Sequence, residues 1–514
     1  MGAANGGQAR VHRLGEHRAH RAGNALNAEA RADALDSRLP PGIIMPLVSD
    51  IFAIALIGDF TGRADRGLIE TGKDLARRRR IPVDRDNVEE LPGQLGVELA
   101  GIKFRNLDDF HPDRLLARVP LFQSLRELRE KMEDPAEFAR LAARAAPAQQ
   151  KTAPPPPPAR AVPANLLDQM VEEEAEDPVD RISGRPDAFQ QFLERIVAPH
   201  LVPGADPRQK ELIAKIDSGI GDQMREVIHH PDLQGLEAAW RALDRLARNI
   251  ETDVTLKLYL YDISKQELAA DLLNDLPLEQ TGLHKLLVDQ TVGTPGAQTW
   301  AVLAGNYTFG PGEGDLKLLA RIARIAKASG APWISGADSR LAGCPSLART
   351  PDPDDWTGVP LEWQALRRIP EAASVGLALP RFLLRAPYGA KSDPCATFRF
   401  EELSGSGDHD GYLWGNAAFA CVEMLAEAFT EDGWSLEPGV NRDLRSLPFY
   451  TYQEMGETIA KPTAEIWMTE RAAGRLQNAG LMTLASIKDQ DRARLVRFQS
   501  IADPVRALAG GWSQ

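Results

Sequence analysis

Cysteine is scarce in this chain of 514 residues: Cys344, Cys395 and Cys421 are the only three, and no two stand at CxxC spacing. That argues against a disulfide framework or a thiolate zinc site and makes a reducing cytoplasm the expected setting. No apolar run approaches the roughly 20 residues a bilayer-spanning helix needs, so membrane insertion is not expected. Positive charge is in deficit, with 60 Lys and Arg against 73 Asp and Glu and a formal net charge of -13. A general nucleic-acid binder would show a basic face instead, so no nucleic-acid partner is expected. The chain also lacks a GxSxG elbow, an HExxH pair and a GxGxxG following a strand. No catalytic residue, cofactor or metal site is therefore expected.

Hydrophobic residues make up 43% and charged residues 26%, the balance of a folded globular protein. The length exceeds what one core usually covers, which predicts more than one domain. Residues 1–45 carry Arg10, Arg13, Arg18, Arg21, Arg31 and Arg38 without the apolar core of a secretory signal, and read as a flexible tail. The clearest boundary is Ala153-Pro154-Pro155-Pro156-Pro157-Pro158-Ala159, because consecutive prolines lack backbone donors and favour a semi-rigid extended spacer. This divides the chain into an α/β domain at 46–146, a linker at 147–164, a helical region at 165–235 and a second α/β domain at 236–514.

Hydrophobic periodicity fills in these parts. Ile51 to Ile57 is a continuous apolar run ending at Gly58-Asp59, as expected of a strand buried on both faces. Leu121, Leu125, Leu128 and Met132 recur at helical spacing, as do Leu236, Ala239, Trp240, Leu243 and Ala247. From Val254 to Tyr261 the period changes to two, which predicts a strand. Further strands are expected at 301–304, 332–335, 375–379 and 481–487, with helices through Leu318 to Ala326 and from Trp414 to Phe429. The fold class is α/β, with mixed sheets and packed helices.

Three stretches invite chemistry. Gly58 and Gly62 suggest a phosphate loop, but no Lys-Ser or Lys-Thr pair follows, so a tight strand-to-loop turn is expected. Asp408-His409-Asp410, with Glu401 and Glu402 nearby, could ligate metal only if a loop folded them together; adjacent side chains in a strand diverge. His229-His230-Pro231 sits between two helical patterns and reads as a helix start.

Longer motifs carry a resemblance. Leu236-Glu237-Ala238-Ala239-Trp240-Arg241-Ala242-Leu243, Gly305-Asn306-Tyr307-Thr308-Phe309, Leu379 to Gly389 and Tyr412 to Phe419 resemble the large (TssC/VipB-like) subunit of the type VI secretion contractile sheath. The similarity runs from about Leu166 to the C-terminus. Ile57-Gly58-Asp59-Phe60-Thr61-Gly62-Arg63, Val83 to Asn87 and Leu107 to Asp113 resemble the small (TssB/VipA-like) subunit, with Thr61 where that family usually has Ser. The chain thus resembles two sheath subunits joined through the proline linker, which would fix their stoichiometry and hold each half at high effective concentration for the other.

The resemblance implies a structural role: self-assembly into a helical sheath around an Hcp-like inner-tube protein, attachment to baseplate components, and contraction toward a lower-energy lattice. It also implies a helix read by a ClpV-type AAA+ ATPase, here Asn165 to Met170, with Leu166, Leu167 and Met170 as its apolar face. Strand exchange between protomers is expected to use the strand near Ile51–Ile57 and the segment after Leu481. Trp240 and Trp414 are expected as core anchors on helices, and Arg381 and Arg385 as partners of carboxylates, either across subunits or within the fold. The rival readings are the sheath of a phage-tail-like or extracellular injection device, and an α/β enzyme using Asp408, His409 or the paired glutamates.

Overall fold

Seven consecutive buried residues, Phe52–Gly58, make the first strand, β1. Phe52, Ile54 and Leu56 point into one core, while Ala53, Ala55 and Ile57 point into the other, as an apolar run with no polar face requires. The computed structural model describes residues 51–134, 136–138, 140, 208–403 and 409–513. The remaining strands, in chain order, are β2 (Ile81–Val83), β3 (Val97–Leu99), β4 (Ile102–Phe104), β5 (Leu256–Asp262), β6 (Val302–Phe309), β7 (Trp333–Ala337) and β8 (Val375–Leu379). They continue with β9 (Phe382–Leu383), β10 (Trp414–Gly415), β11 (Asp443–Leu444), β12 (Thr451–Glu454), β13 (Glu457–Ala460), β14 (Met482–Ser486) and β15 (Ala493–Leu495).

Nine of these strands form one mixed sheet, in the order β11-β15-β14-β8-β7-β6-β1-β5-β2. The interior is parallel, and antiparallel pairs close both sides through β2 on β5 and β15 on β14 and β11. Helices cover both faces. Glu313–Ser329 packs its Leu319, Ile322 and Ala326 into one core. Pro231–Asn249 and Ala417–Asp432 supply Trp240, Leu243, Val422 and Leu425 to the other. Mixed α/β is therefore the observed class.

The sheet is built from strands on both sides of the linker. β1 lies before the linker in sequence, yet it pairs in parallel with β5 on one side (Phe52 opposite Leu256) and β6 on the other (Ile54 opposite Val302). The described residues on both sides of the linker belong to one compact unit. The Pro120–Glu133 helix likewise packs on the Arg208–Ile228 helix, where Arg129 meets Asp217 at 2.6 Å and Gln209 donates to the Met132 carbonyl at 2.7 Å.

Strand exchange through β1 or the segment after Leu481 would have to open ladders that are filled within one chain. Both ladders of β1 are occupied, and β14 is held between β8 and β15. A strand hydrogen-bonded on both sides has no free edge to offer. The edges of this sheet are β2, which carries Pro82, and the two-residue β11.

At β5 the alternation continues in the structure, but the face expected to be polar is buried by aromatic stacking. Tyr259 and Tyr261 set their rings edge-on to Trp300, at 5.7 and 5.9 Å. Val254 lies outside the strand and is 78% exposed. On β6, Gly305 permits close approach: a Cβ there would stand 2.4 Å from the Trp333 ring and 2.5 Å from the Ser335 hydroxyl. No described helix is long and apolar enough to cross a membrane.

Candidate functional site

The turn after β1 is where the first and second parts of the chain interlock. Asp59 opens it by accepting from the Arg63 and Ala64 amides. The Phe60 and Thr61 amides donate to Asp262 Oδ1 at 2.8 and 3.2 Å, and the Thr61 hydroxyl donates to Asp262 Oδ2 at 2.7 Å. A side-chain carboxylate therefore takes the donors that a phosphate loop would offer to a nucleotide. Gly62 has φ +75° and passes so close to the Glu98 carbonyl that a Cβ would lie 2.4 Å from it. The tight turn expected from the sequence is the observed one. Burial pushes the Asp262 carboxyl above its ordinary value, against these hydrogen bonds.

Two more contacts lock this turn. Trp240 Nε1 donates to the Phe60 carbonyl at 2.7 Å, and the two rings meet edge-on at 5.8 Å. Arg63 grips Glu267 with two parallel bonds of 2.7 Å, and Arg78 reaches the same carboxylate at 3.0 Å. Glu267 also completes a capping box with Ser264 at the start of the Lys265–Leu272 helix. Burial alone would raise its carboxyl, but Arg63, the Ser264 amide and Arg78 hold it down.

Behind the turn lies a buried charge network. Arg385 is sandwiched between Glu237 (2.8 and 3.2 Å) and Glu402 (2.6 and 3.0 Å), and its guanidinium stands 4.0 Å from the Tyr388 ring centre. Arg241 adds a 2.6 Å bond to Glu237 and a 3.0 Å bond to the Tyr388 hydroxyl. The Tyr388 amide donates to Glu402 at 2.6 Å, and His229 Nε2 lies 3.6 Å from the same carboxylate. Charges in a dry site persist only when paired and hydrogen-bonded, and each of these carboxylates has several donors. Burial would raise the Glu237 carboxyl; Arg385 and Arg241 overcome it and hold the group at about 2. Glu402 is held down in the same way, chiefly by Arg385.

A pH dependence follows. Because Glu237 is depressed below its ordinary 4.5 in the folded chain, its contribution is complete above that value and is lost as pH falls toward 2. The shift corresponds to on the order of 3 kcal/mol. Urea midpoints measured from neutral pH downward should fall through this window, and Glu237→Gln should flatten the fall. An equally steep fall in that variant would remove Glu237 as the cause.

The other residues singled out in the sequence are placed as follows. Arg381 and Arg385 pair within the fold: Arg381 Nη2 meets Glu465 at 2.6 Å. Glu401 and Glu402 do not converge. Glu401 accepts from the Ala390 amide at 3.2 Å while Glu402 joins the network. His409 is committed to Glu465 at 3.1 Å, and Asp410 lies near Arg349; Asp408 lies outside the described residues. His230 and Pro231 are the N-cap and first residue of their helix, as expected. Trp414 is in the core but on β10, before the helix that Asn416 caps through the Ala418 amide. Leu166, Leu167 and Met170 lie outside the described residues. Sequence reasoning passed over Tyr388 and the role of Glu237. The available signal was a pair of charged residues, Glu237 and Arg385, each inside an apolar pattern.

The Leu236–Leu243 and Leu379–Gly389 motifs thus carry most of this network, and residues 210–502 match the family model described as VipB: EvpB/VC_A0108, tail sheath N-terminal domain. The chain belongs to the VipB tail-sheath family. It is 34% identical over 306 residues to the type VI secretion system sheath protein TssC1 of Pseudomonas aeruginosa, over 57% of this chain and 61% of that relative. The chain therefore covers about three-fifths of the length of the curated relative it matches. The VipB match contains Glu237, Arg241, Arg385, Tyr388 and Glu402, whereas β1 and its turn precede it.

Proposed function

We propose that this chain is a structural protomer of a contractile type VI secretion sheath, with residues 46–146 standing for the small subunit and 165–514 for the large one. The observation that carries the sheath role is the VipB match over residues 210–502. The fusion reading is supported by the insertion of β1 between β5 and β6, and by the grip of Trp240, Asp262 and Glu267 on the turn that follows it. The first part completes the sheet of the second, as a tightly bound partner subunit would.

In this reading the protomer is mechanical and carries no catalytic site. It assembles in the cytoplasm around an Hcp-like inner tube, docks on baseplate components, and shortens because the contracted lattice has lower free energy. Negative-stain microscopy of the purified chain, alone and with its inner-tube protein, tests this. Hollow tubes are the expected outcome, and only small soluble particles under all assembly conditions would refute it. Tubes that form around the core of an extracellular device but not around an Hcp-like tube would favour the injection-device sheath.

Recycling is proposed to run through the apolar face of Leu166, Leu167 and Met170, presented to a ClpV-type ATPase beside the proline linker. Replacing Leu167 and Met170 by Asp should reduce ATPase binding by tenfold or more without affecting tube formation. Unchanged binding in a pull-down from preformed tubes would assign recognition elsewhere.

A further inference from the structure

The Tyr388–Thr397 loop closes over the start of the Pro112–Arg118 helix, and groups with metal-ligating chemistry meet there. His111, Asp113 and Cys395 each offer one donor atom, and the three atoms lie within 4.8 Å of one another. No other such cluster of three occurs among the described residues. His111 Nδ1 stands 3.7 Å from an Asp113 oxygen, and its Nε2 faces Asp393 Oδ1, also at 3.7 Å. We propose that His111 Nδ1, an Asp113 carboxylate oxygen and Cys395 Sγ bind Zn²⁺, with solvent as the fourth ligand and Asp393 orienting the imidazole from outside.

The donor set is the main argument. Nitrogen, oxygen and sulfur together suit zinc, with bonds of roughly 2.0–2.3 Å. The three side chains are partly exposed, so they can close the remaining distance. Asp113 already accepts from the Ala396 amide (2.8 Å), the Thr397 amide (3.1 Å) and the Thr397 hydroxyl. These bonds fix the carboxylate and leave lone pairs for a cation. His111 Nδ1 accepts from the Asp113 amide at 3.2 Å, and the metal would replace that bond. The ring proton then sits on Nε2 toward Asp393, which is how a ligating histidine is usually oriented. Coordination ionises the Cys395 thiol, and its proton leaves to solvent.

The consequence is mechanical. Two of the four residues precede the proline linker and two follow it, so the ion would clip the two parts of the chain together beside the buried network. His111 also packs edge-on against Tyr388 at 4.9 Å. The clip would therefore stiffen the wall of the charge network.

Cobalt titration of the full-length chain tests the site. The expected result is one Co²⁺ per chain, with a near-ultraviolet sulfur-to-cobalt charge-transfer band and tetrahedral d–d absorption, both displaced by Zn²⁺. Cys395→Ser should abolish the charge-transfer band. Asp393→Asn should keep the band and weaken affinity by roughly tenfold. Cys344 and Cys421 are buried, and His12, His17 and His20 bring no sulfur, so binding elsewhere gives no such band. The wild-type chain showing no band overturns the proposal, as does an unchanged band in Cys395→Ser. Should Cys395→Ser fail to fold by circular dichroism, His111→Gln decides, because an unchanged band in that variant also overturns it.

Discussion

Arg385→Ala is expected to destabilise the fold by about 3–5 kcal/mol, because it strands two buried carboxylates at once. Glu237 and Glu402 are 2% and 1% exposed, and Arg385 is the cation they share. Arg241 remains for Glu237, but among the described residues Glu402 would keep only the Tyr388 amide, at 2.6 Å, and the His229 ring, at 3.6 Å. The cost arises from uncompensated charge and not from lost volume. Arg385→Met combined with Glu402→Gln should therefore recover most of the loss, because Glu237 keeps Arg241 at 2.6 Å and Glu402 no longer carries a charge. Urea or thermal unfolding of the single and double variants provides the measurement. A double variant as unstable as Arg385→Ala would mean that packing, and not charge, sets the cost.

Separating the chain at its proline run should have an even larger effect. A chain starting at Ala159 lacks β1, which leaves a strand-wide gap between β5 and β6 and removes Phe52, Ile54, Leu56 and Ile57 from the two cores. Each such side chain contributes about 1.5–3 kcal/mol when fully buried. Together they approach the whole stability of an ordinary domain. Such a chain expressed alone should be insoluble, and co-expression of residues 1–158 as a separate chain should restore a soluble complex that co-elutes. Asp262, Glu267 and Trp240 specify where that piece docks, so Trp240→Ala should weaken the rescue. A soluble, cooperatively folding second piece on its own would contradict the shared-sheet account.

Much of this fold was legible because local patterns and tertiary burial agree. The 51–57 run, the helix at 231–249, and the strands expected at 375–379 and 481–487 follow from periodicity and their bounding Gly, Pro and Asn residues, and the structure places them within a residue or two. The turn at Gly58–Gly62 was legible for the same reason: a positive φ and a close backbone neighbour both demand glycine. Periodicity does not reach position within the sheet, because local character is not global position. A self-contained α/β segment before the linker was a fair inference from its own elements. Nothing local announces that its one long strand hydrogen-bonds to partners about two hundred residues away. The same holds for the proposed exchange strands, since edge or centre is a property of the assembled sheet.

The amino-acid sequence by itself determined the elements, the mixed α/β class and the membership in a sheath family, because these depend on side-chain period, backbone geometry and motif identity within short windows. Only the tertiary structure decided that β1 lies at the centre of a shared sheet, and that Glu237, Arg385 and Glu402 meet in a dry interior. Along a sequence, a charged residue reads as exposed, since burial without a partner is prohibitive. The partners that make it tolerable here come from separate elements, and they exist as neighbours only once the chain has folded.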